Sequence, residues 1–252
     1  MSGHSKWATI KRTKAVVDAK KGVVYARMAR EIIVAAKSGG SDINANFRLR
    51  TAIERAKAEG VPNDNIQRAI EKGSGAGGSE SMEELTYGGY GPGGVAVMVR
   101  CTTDNRNRTA GDIRSYFSKY GGNLGETGCV GWNFKERGEI SIEKSNQVDE
   151  DNLLSAAVDL GADDLDTSAE DTILVVCEPL KLESVREGLE KAGYRIAAAE
   201  VSMAPMATVE VTNGDVAKQL LRLLDVLEGH DDVQHVFANF DMDEKLMQEF
   251  VS

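Results

Sequence analysis

Apolar residues recur every three or four positions through the first seventy residues, and at every second position in several later stretches. Tyr25, Met28, Ile32 and Ala35 predict a helix over 18–37 that Ser38-Gly39-Gly40 stops. Leu49, Ala52, Ile53 and Ala56 form the stripe of a second helix, with Gly60 placed as its left-handed cap. Pro62-Asn63-Asp64 opens a third, with Ile66, Ala69 and Ile70 inward and Gly73 at its end. Residues 73–79, Gly-Ser-Gly-Ala-Gly-Gly-Ser, hold no core-forming side chain and read as a flexible linker.

Beyond the linker Val95, Val97, Val99 and Cys101 alternate as a strand. Ile113, Phe117 and Tyr120 mark a helix ended by Gly121-Gly122, and Val130, Trp132 and Phe134 alternate again. Residues 139–143, 150–160, about 165, 172–177, 181–192 and 194–201 then spell βαββαβ, the ferredoxin-like order. The tail adds a strand at 206–211, a helix carrying Val216, Leu220, Leu223, Leu224 and Leu227, and a strand at 233–238. Neither flanking βαβ unit has strands enough to bury its own helix, so the two are expected to share one sheet. The expected class is α+β, a small all-helical N-terminal domain followed by two ferredoxin-like α/β domains, one inserted in the other. The expected division is 1–78 for the head, 79–137 and 203–252 for a discontinuous domain, and 138–202 for the insert.

Charge is divided along the same boundary. Residues 1–78 hold 15 Lys and Arg against 7 Asp and Glu, a net of +8, and the remainder holds 15 against 33, a net of −18. A basic module of this kind is the electrostatic footprint of a phosphate-binding surface. The chain's 252 residues, 41% hydrophobic, allow a substantial core. No apolar run is long enough to span a bilayer, which points to a cytoplasmic protein without a membrane partner. Cys101, Cys129 and Cys177 are far apart and lack CxxC spacing, so neither disulfides nor a thiolate metal site is indicated.

Lys6, Trp7, Lys11, Arg12, Lys14, Lys20 and Lys21 form a basic run with one aromatic, suited to a phosphate backbone, Trp7 either stacking on a base or anchoring the arm. A solvated charge run is the alternative. Arg27, Arg30, Arg48, Arg50, Arg55 and Arg68 continue the positive charge through the three helices. Arg106 and Arg108, in Thr103-Asp104-Asn105-Arg106-Asn107-Arg108-Thr109, lie where a helix starts and can meet an anion there, while Asn107 or Thr109 caps. Tyr87 to Gly94 is glycine-rich but precedes a strand, the wrong order for a nucleotide loop, and reads as a turn between domains. His230 and His235 lack a cysteine pair, and no catalytic constellation stands out, so neither metal, cofactor nor enzyme is expected.

Four motifs, Gly-His-Ser-Lys-Trp at 3–7, Tyr-Gly-Pro-Gly-Gly at 90–94, the 103–109 run and Asp-Asp-Val-Gln at 231–234, together resemble the YebC/PmpR family from end to end. The chain departs from that pattern at Gly88, where the family usually has an acidic residue. The resemblance implies a helical domain plus two α/β domains, and a DNA-binding transcriptional regulator. Its mitochondrial relatives imply the alternative, a translation factor on ribosomal RNA and the ribosome. The expectation is therefore a non-enzymatic nucleic-acid-binding regulator, acting on DNA, with an oligomer included in that reading, or on ribosomal RNA. No helix-turn-helix or other base-reading motif is evident in the sequence, which favours backbone recognition of RNA.

Overall fold

The computed structural model describes residues 7, 21–75, 82–144, 148–169 and 172–251. Its head contains α1 (Lys21–Gly39), α2 (Phe47–Ala58) and α3 (Asn63–Gly73). Ile32, Ala35, Leu49, Ala52, Ala56 and Ile70 close a core among the three, as their spacing predicts. Asn46 caps α2 by accepting from the Leu49 amide, and its own amide group donates to the Ala35 and Gly40 carbonyls, tying α2 to the end of α1. Gly73 is more than a stop. A Cβ there would lie 2.5 Å from the Ile33 carbonyl oxygen, so glycine lets the end of α3 press on the α1 backbone. Of the predicted linker at 73–79, positions 76–79 lie outside the described residues.

The middle unit is built on a four-stranded antiparallel sheet, β1 (Glu83–Tyr90), β2 (Ala96–Thr103), β3 (Asn123–Leu124) and β9 (Val233–Ala238), in the order β3-β1-β2-β9. Helices α4 (Arg106–Lys119) and α7 (Gly214–Glu228) cover one face, with Ile113, Phe117, Leu220, Leu224 and Leu227 against Val95, Val97 and Val99. Each such fully buried side chain contributes about 1.5–3 kcal/mol. In chain order this sheet reads 3-1-2-4, so both its strand order and its connections differ from the ferredoxin-like sheet expected from two paired βαβ units. The segment at 87–90, expected as a turn, is the end of a central strand. Gly88 and Gly89 obscured it, and both are required by packing: a Cβ would come within 2.7 Å of Val130 and 2.5 Å of the Asn123 oxygen. The turn itself is Gly91–Gly94, where Gly93 and Gly94 have φ of 74° and 75°.

Two other expected strands are corrected. Residues 131–133 form a short 3-10 turn: Val130 and Phe134 wedge against Ala96, Met98 and Phe237, while Trp132 points outward. Their alternation is a turn with two buried ends. The 206–211 strand shrinks to β8 (Val209–Glu210), which pairs in parallel with β10 (Phe240–Asp241) beside the main sheet. The third unit runs β4 (Phe134–Glu143), α5 (Glu150–Asp159), β5 (Ala162–Asp166), β6 (Thr172–Cys177), α6 (Leu182–Lys191) and β7 (Ile196–Pro205). Its order β5-β6-β4-β7, antiparallel throughout, is the ferredoxin-like arrangement, and its strands fall between β3 and β9 along the chain. A final helix, α8 (Glu244–Val251), packs on α7 through Met247. Among the described residues no helix is long and apolar enough to cross a membrane.

Candidate nucleic-acid interface

The two polar motifs of the body meet at one carboxylate. Asp232 is buried at the junction of α7, β9, β2 and α4, and its Oδ2 lies 3.1 Å from the Thr103 hydroxyl, 2.8 Å from the Thr109 hydroxyl and 2.9 Å from Arg108 Nη2. Its other oxygen is 3.2 Å from Arg30 Nη2, on head helix α1. Burial alone would raise the Asp232 pKa, but the hydrogen bonds from Arg108, Thr109 and Thr103 and the charge of Arg30 outweigh it and hold the carboxyl below its ordinary range. The same contacts raise the Arg108 pKa. Asn105 caps α4 by accepting from the Arg108 amide, a role expected of Asn107 or Thr109. The motif at 103–109 thus serves an internal network, and Arg108, expected to meet a phosphate, is bound to Asp104 and Asp232.

The head docks on this network. Arg27 donates to the Glu228 carbonyl at the end of α7, and Arg30 Nη1 donates to the Asp231 carbonyl at 2.8 Å. Burial lowers the Arg27 pKa, leaving a guanidinium that stays charged. Arg48 pairs with Glu84, and Arg55 bridges Glu31 at 3.2 Å and Glu200 at 3.1 Å. These last pairs border a cleft of about 810 Å³ where the head, the middle sheet and the third unit meet. Arg100 and Arg186 also line it, but its four arginines meet seven glutamates, so the cleft is net negative and offers no attraction for phosphate. Four of the arginines expected to form an open basic surface, Arg27, Arg30, Arg48 and Arg55, therefore hold the head to the acidic body. Opposite charge within one chain reaches them before any external polyanion does.

Trp7 is 1% exposed, set in the core of the middle unit with its ring 5.6 Å from Phe250 in an edge arrangement. It anchors, and it presents no face for a base. Lys6, Lys11, Arg12, Lys14 and Lys20 lie outside the described residues, as does the side chain of Lys21. His230 contacts Asp112 and accepts from the Asp232 amide, whereas His235 is stacked beside Phe237. No three His, Cys, Asp or Glu residues gather as a metal site among the described residues.

What remains exposed is different in kind. Arg50 lies over the Phe47 ring and reaches the Ile43 and Asn44 carbonyls. Arg68 projects from α3 into solvent, and Arg106 does the same at the start of α4. Around Arg68 the outer face of α3 carries Asp64 and Glu71 a turn to either side, with Asn63 and Gln67 exposed on one flank and Asn65 on the other. Residues 59–62, including Gly60 at φ 77°, join α2 to α3. Helix α2, this four-residue glycine-containing turn and α3, whose first turns carry exposed polar residues, follow one another in helix-turn-helix order. In the sequence, Asn63, Asn65, Gln67 and Arg68 are polar positions interspersed with the inward Ile66, Ala69 and Ile70.

The molecule is thus an α+β protein whose helical head is clamped to a body built on two four-stranded antiparallel sheets. The chain belongs to the TACO1/YebC family: residues 5–76 match the family's N-terminal domain and residues 82–240 its second and third domains. It is 54% identical to a "Probable transcriptional regulatory protein" of Pelotomaculum thermopropionicum, over 97% of this chain and all of that one. A protein of the same name from Trichormus variabilis is 53% identical over 98% of each chain. The crystal structure of a "conserved hypothetical protein" from Aquifex aeolicus superposes with a TM-score of 0.83 and 45% identity, covering 90% of this chain and 93% of that one.

Proposed function

We propose that this protein is a non-enzymatic, DNA-binding transcriptional regulator that reads duplex DNA with the outer face of α3. The observation that carries this is the set Asn63, Asn65, Gln67 and Arg68, exposed at the start of the second helix of a helix-turn-helix. Asn and Gln pair with adenine and Arg with guanine across the major groove, which admits one helix. Helix α3 is nearly neutral, with Arg68 and Lys72 offset by Asp64 and Glu71, so phosphate attraction has to come from elsewhere on the protein. The names of the relatives agree with this reading, and recognition of base edges distinguishes it from a translation factor that holds ribosomal RNA by its backbone.

Selection of bound duplexes from a random pool, followed by anisotropy titration, tests it. Wild type is expected to enrich a defined site. Combining Asn65→Ala, Gln67→Ala and Arg68→Ala should erase that preference, at about 1–3 kcal/mol for each base that is no longer read, while general binding persists. Failure to enrich any duplex, with tight binding to ribosomal RNA, would replace this reading by the translational one.

A further inference from the structure

Most cations of the acidic body are matched by a carboxylate: Arg100 meets Glu136 at 2.7 Å, Arg137 meets Glu139 at 2.6 Å, and Lys144 meets Glu150 at 3.0 Å. Helices α4 and α7 are the exception. Arg106, Arg114, Lys119, Lys218 and Arg222 are all exposed there, and none has a carboxylate partner among the described residues. Elsewhere in the body only Lys135 and Lys245 share that condition among the described residues. The leucines of α7 point into the core, so Lys218 and Arg222, one turn apart, fall on its outer side. Four acidic groups belong to the same two helices: Asp112, which is engaged by His230, Asp215, exposed in the first turn of α7, and the half-buried Asp225 and Glu228 in its later turns.

The layer is continuous with the head junction. Arg106 is two residues from Arg108, which shares Asp232 with Arg30 of α1, and the end of α7 receives Arg27. The helices run in opposite directions, since Gln219 lies beside Gly121 just past α4 while His230 lies beside Asp112 near its start. From the junction the 14 residues of α4 extend about 20 Å, roughly six phosphates along one strand.

Building on the reading of α3 as the DNA-contacting helix, we infer that the outer side of α4 and α7 is a second, sequence-independent contact surface for the phosphate backbone of the same duplex. Its fully exposed charges are mainly Arg and Lys, with Asp215 the acidic one on these helices, which suits phosphate contact and carries no base code. It also supplies, from the acidic body, cations that α3 lacks.

The test compares the full chain with a variant carrying Arg114→Ala, Lys119→Ala, Lys218→Ala and Arg222→Ala, titrated with duplex DNA from 50 to 300 mM salt. A control carries Lys144→Ala, Lys181→Ala, Lys191→Ala and Arg195→Ala, which removes the same charge from paired cations on the third unit. The α4/α7 variant should bind about tenfold or more weakly at 0.15 M salt and lose about 2 to 4 from the salt slope, with the selected sequence unchanged. Equal losses in the control, an unchanged slope, or a loss seen with RNA duplex but not DNA would each overturn the inference. The substituted side chains are exposed, and a thermal melt confirms that the variant is folded. The α3 triple variant is run in parallel: if it keeps full sequence preference while the α4/α7 variant weakens, the α3 reading fails and the second surface stands.

Discussion

Helices α1 and α3 pack in the same head and each carries arginine on its outer side, yet their surroundings differ. Arg27 and Arg30 of α1 face the body and end on the Glu228 and Asp231 carbonyls and on Asp232. Arg68 of α3 faces solvent with Asp64 and Glu71 a turn away, and no carboxylate is within ion-pair distance of it among the described residues. A guanidinium next to a buried carboxylate is worth most as a clamp, whereas an exposed one that no carboxylate holds is open to an external anion. Net charge measures how many cations a segment has. It does not say which of them are free.

The contrast can be broken most sharply at Trp7. Trp7→Ala should remove about 3–5 kcal/mol of stability through the cavity it leaves, lowering the denaturation midpoint, with little change in DNA affinity of the folded protein. Undiminished stability with a large loss of affinity would instead return Trp7 to a stacking role. Next comes Asp232→Ala, expected to cost about 3 kcal/mol by leaving Arg30 and Arg108 facing one another without their shared anion. Hydrogen exchange in α1 should quicken in that variant more than exchange in α5, because the clamp joins the head and not the third unit. Equal quickening in both would mean that Asp232 supports the fold as a whole.

The smallest effect concerns pH. Burial, with the charges of Arg55 and Arg27, lowers the His235 pKa from its ordinary 6.5 against the opposing pull of Glu200 and Glu31, so the folded protein holds this ring neutral where the unfolded chain takes up a proton. The associated stability is full above the unfolded value and is lost as pH falls below about 6.5. Asp232, also depressed, adds a loss only at more acid pH, below its ordinary 3.8 and down through its folded value. Denaturation midpoints measured from pH 7.5 to 5 should therefore decline in the wild type and flatten in His235→Gln. A wild-type midpoint that rises on acidification would contradict the sign.

Much of the fold was legible because periodicity reports burial directly. The three head helices, the βαββαβ unit and the leucine face of α7 were each readable as a local pattern whose period matches its element. The missed pieces share a cause. Strand β1 contains Gly88 and Gly89 because Val130 and the Asn123 backbone press on them, and those partners lie about forty residues away. Trp132 alternates like a strand residue but sits outside, since only its neighbours Val130 and Phe134 are needed as a wedge. For the candidate site, the cation types were readable, while Asn63, Asn65 and Gln67 looked like ordinary helix surface until the α2–α3 connection gave them a setting.

Alone, the sequence determined which segments form helices and strands, that the charge divides at the glycine-rich segment, and that the family motifs run from end to end. Those are properties of neighbours along the chain or of simple counting. Only the tertiary structure decided which charges remain available, because pairing depends on partners such as Arg30 and Asp232, some two hundred residues apart. It moved Trp7 from a basic arm into a core, turned Arg108 inward to a buried carboxylate, and left Arg68 and the cations of the α4/α7 layer without a carboxylate partner among the described residues. The physical reason is one: local pattern sets the element, but long-range contact sets the environment, and the environment decides what a charged side chain can bind.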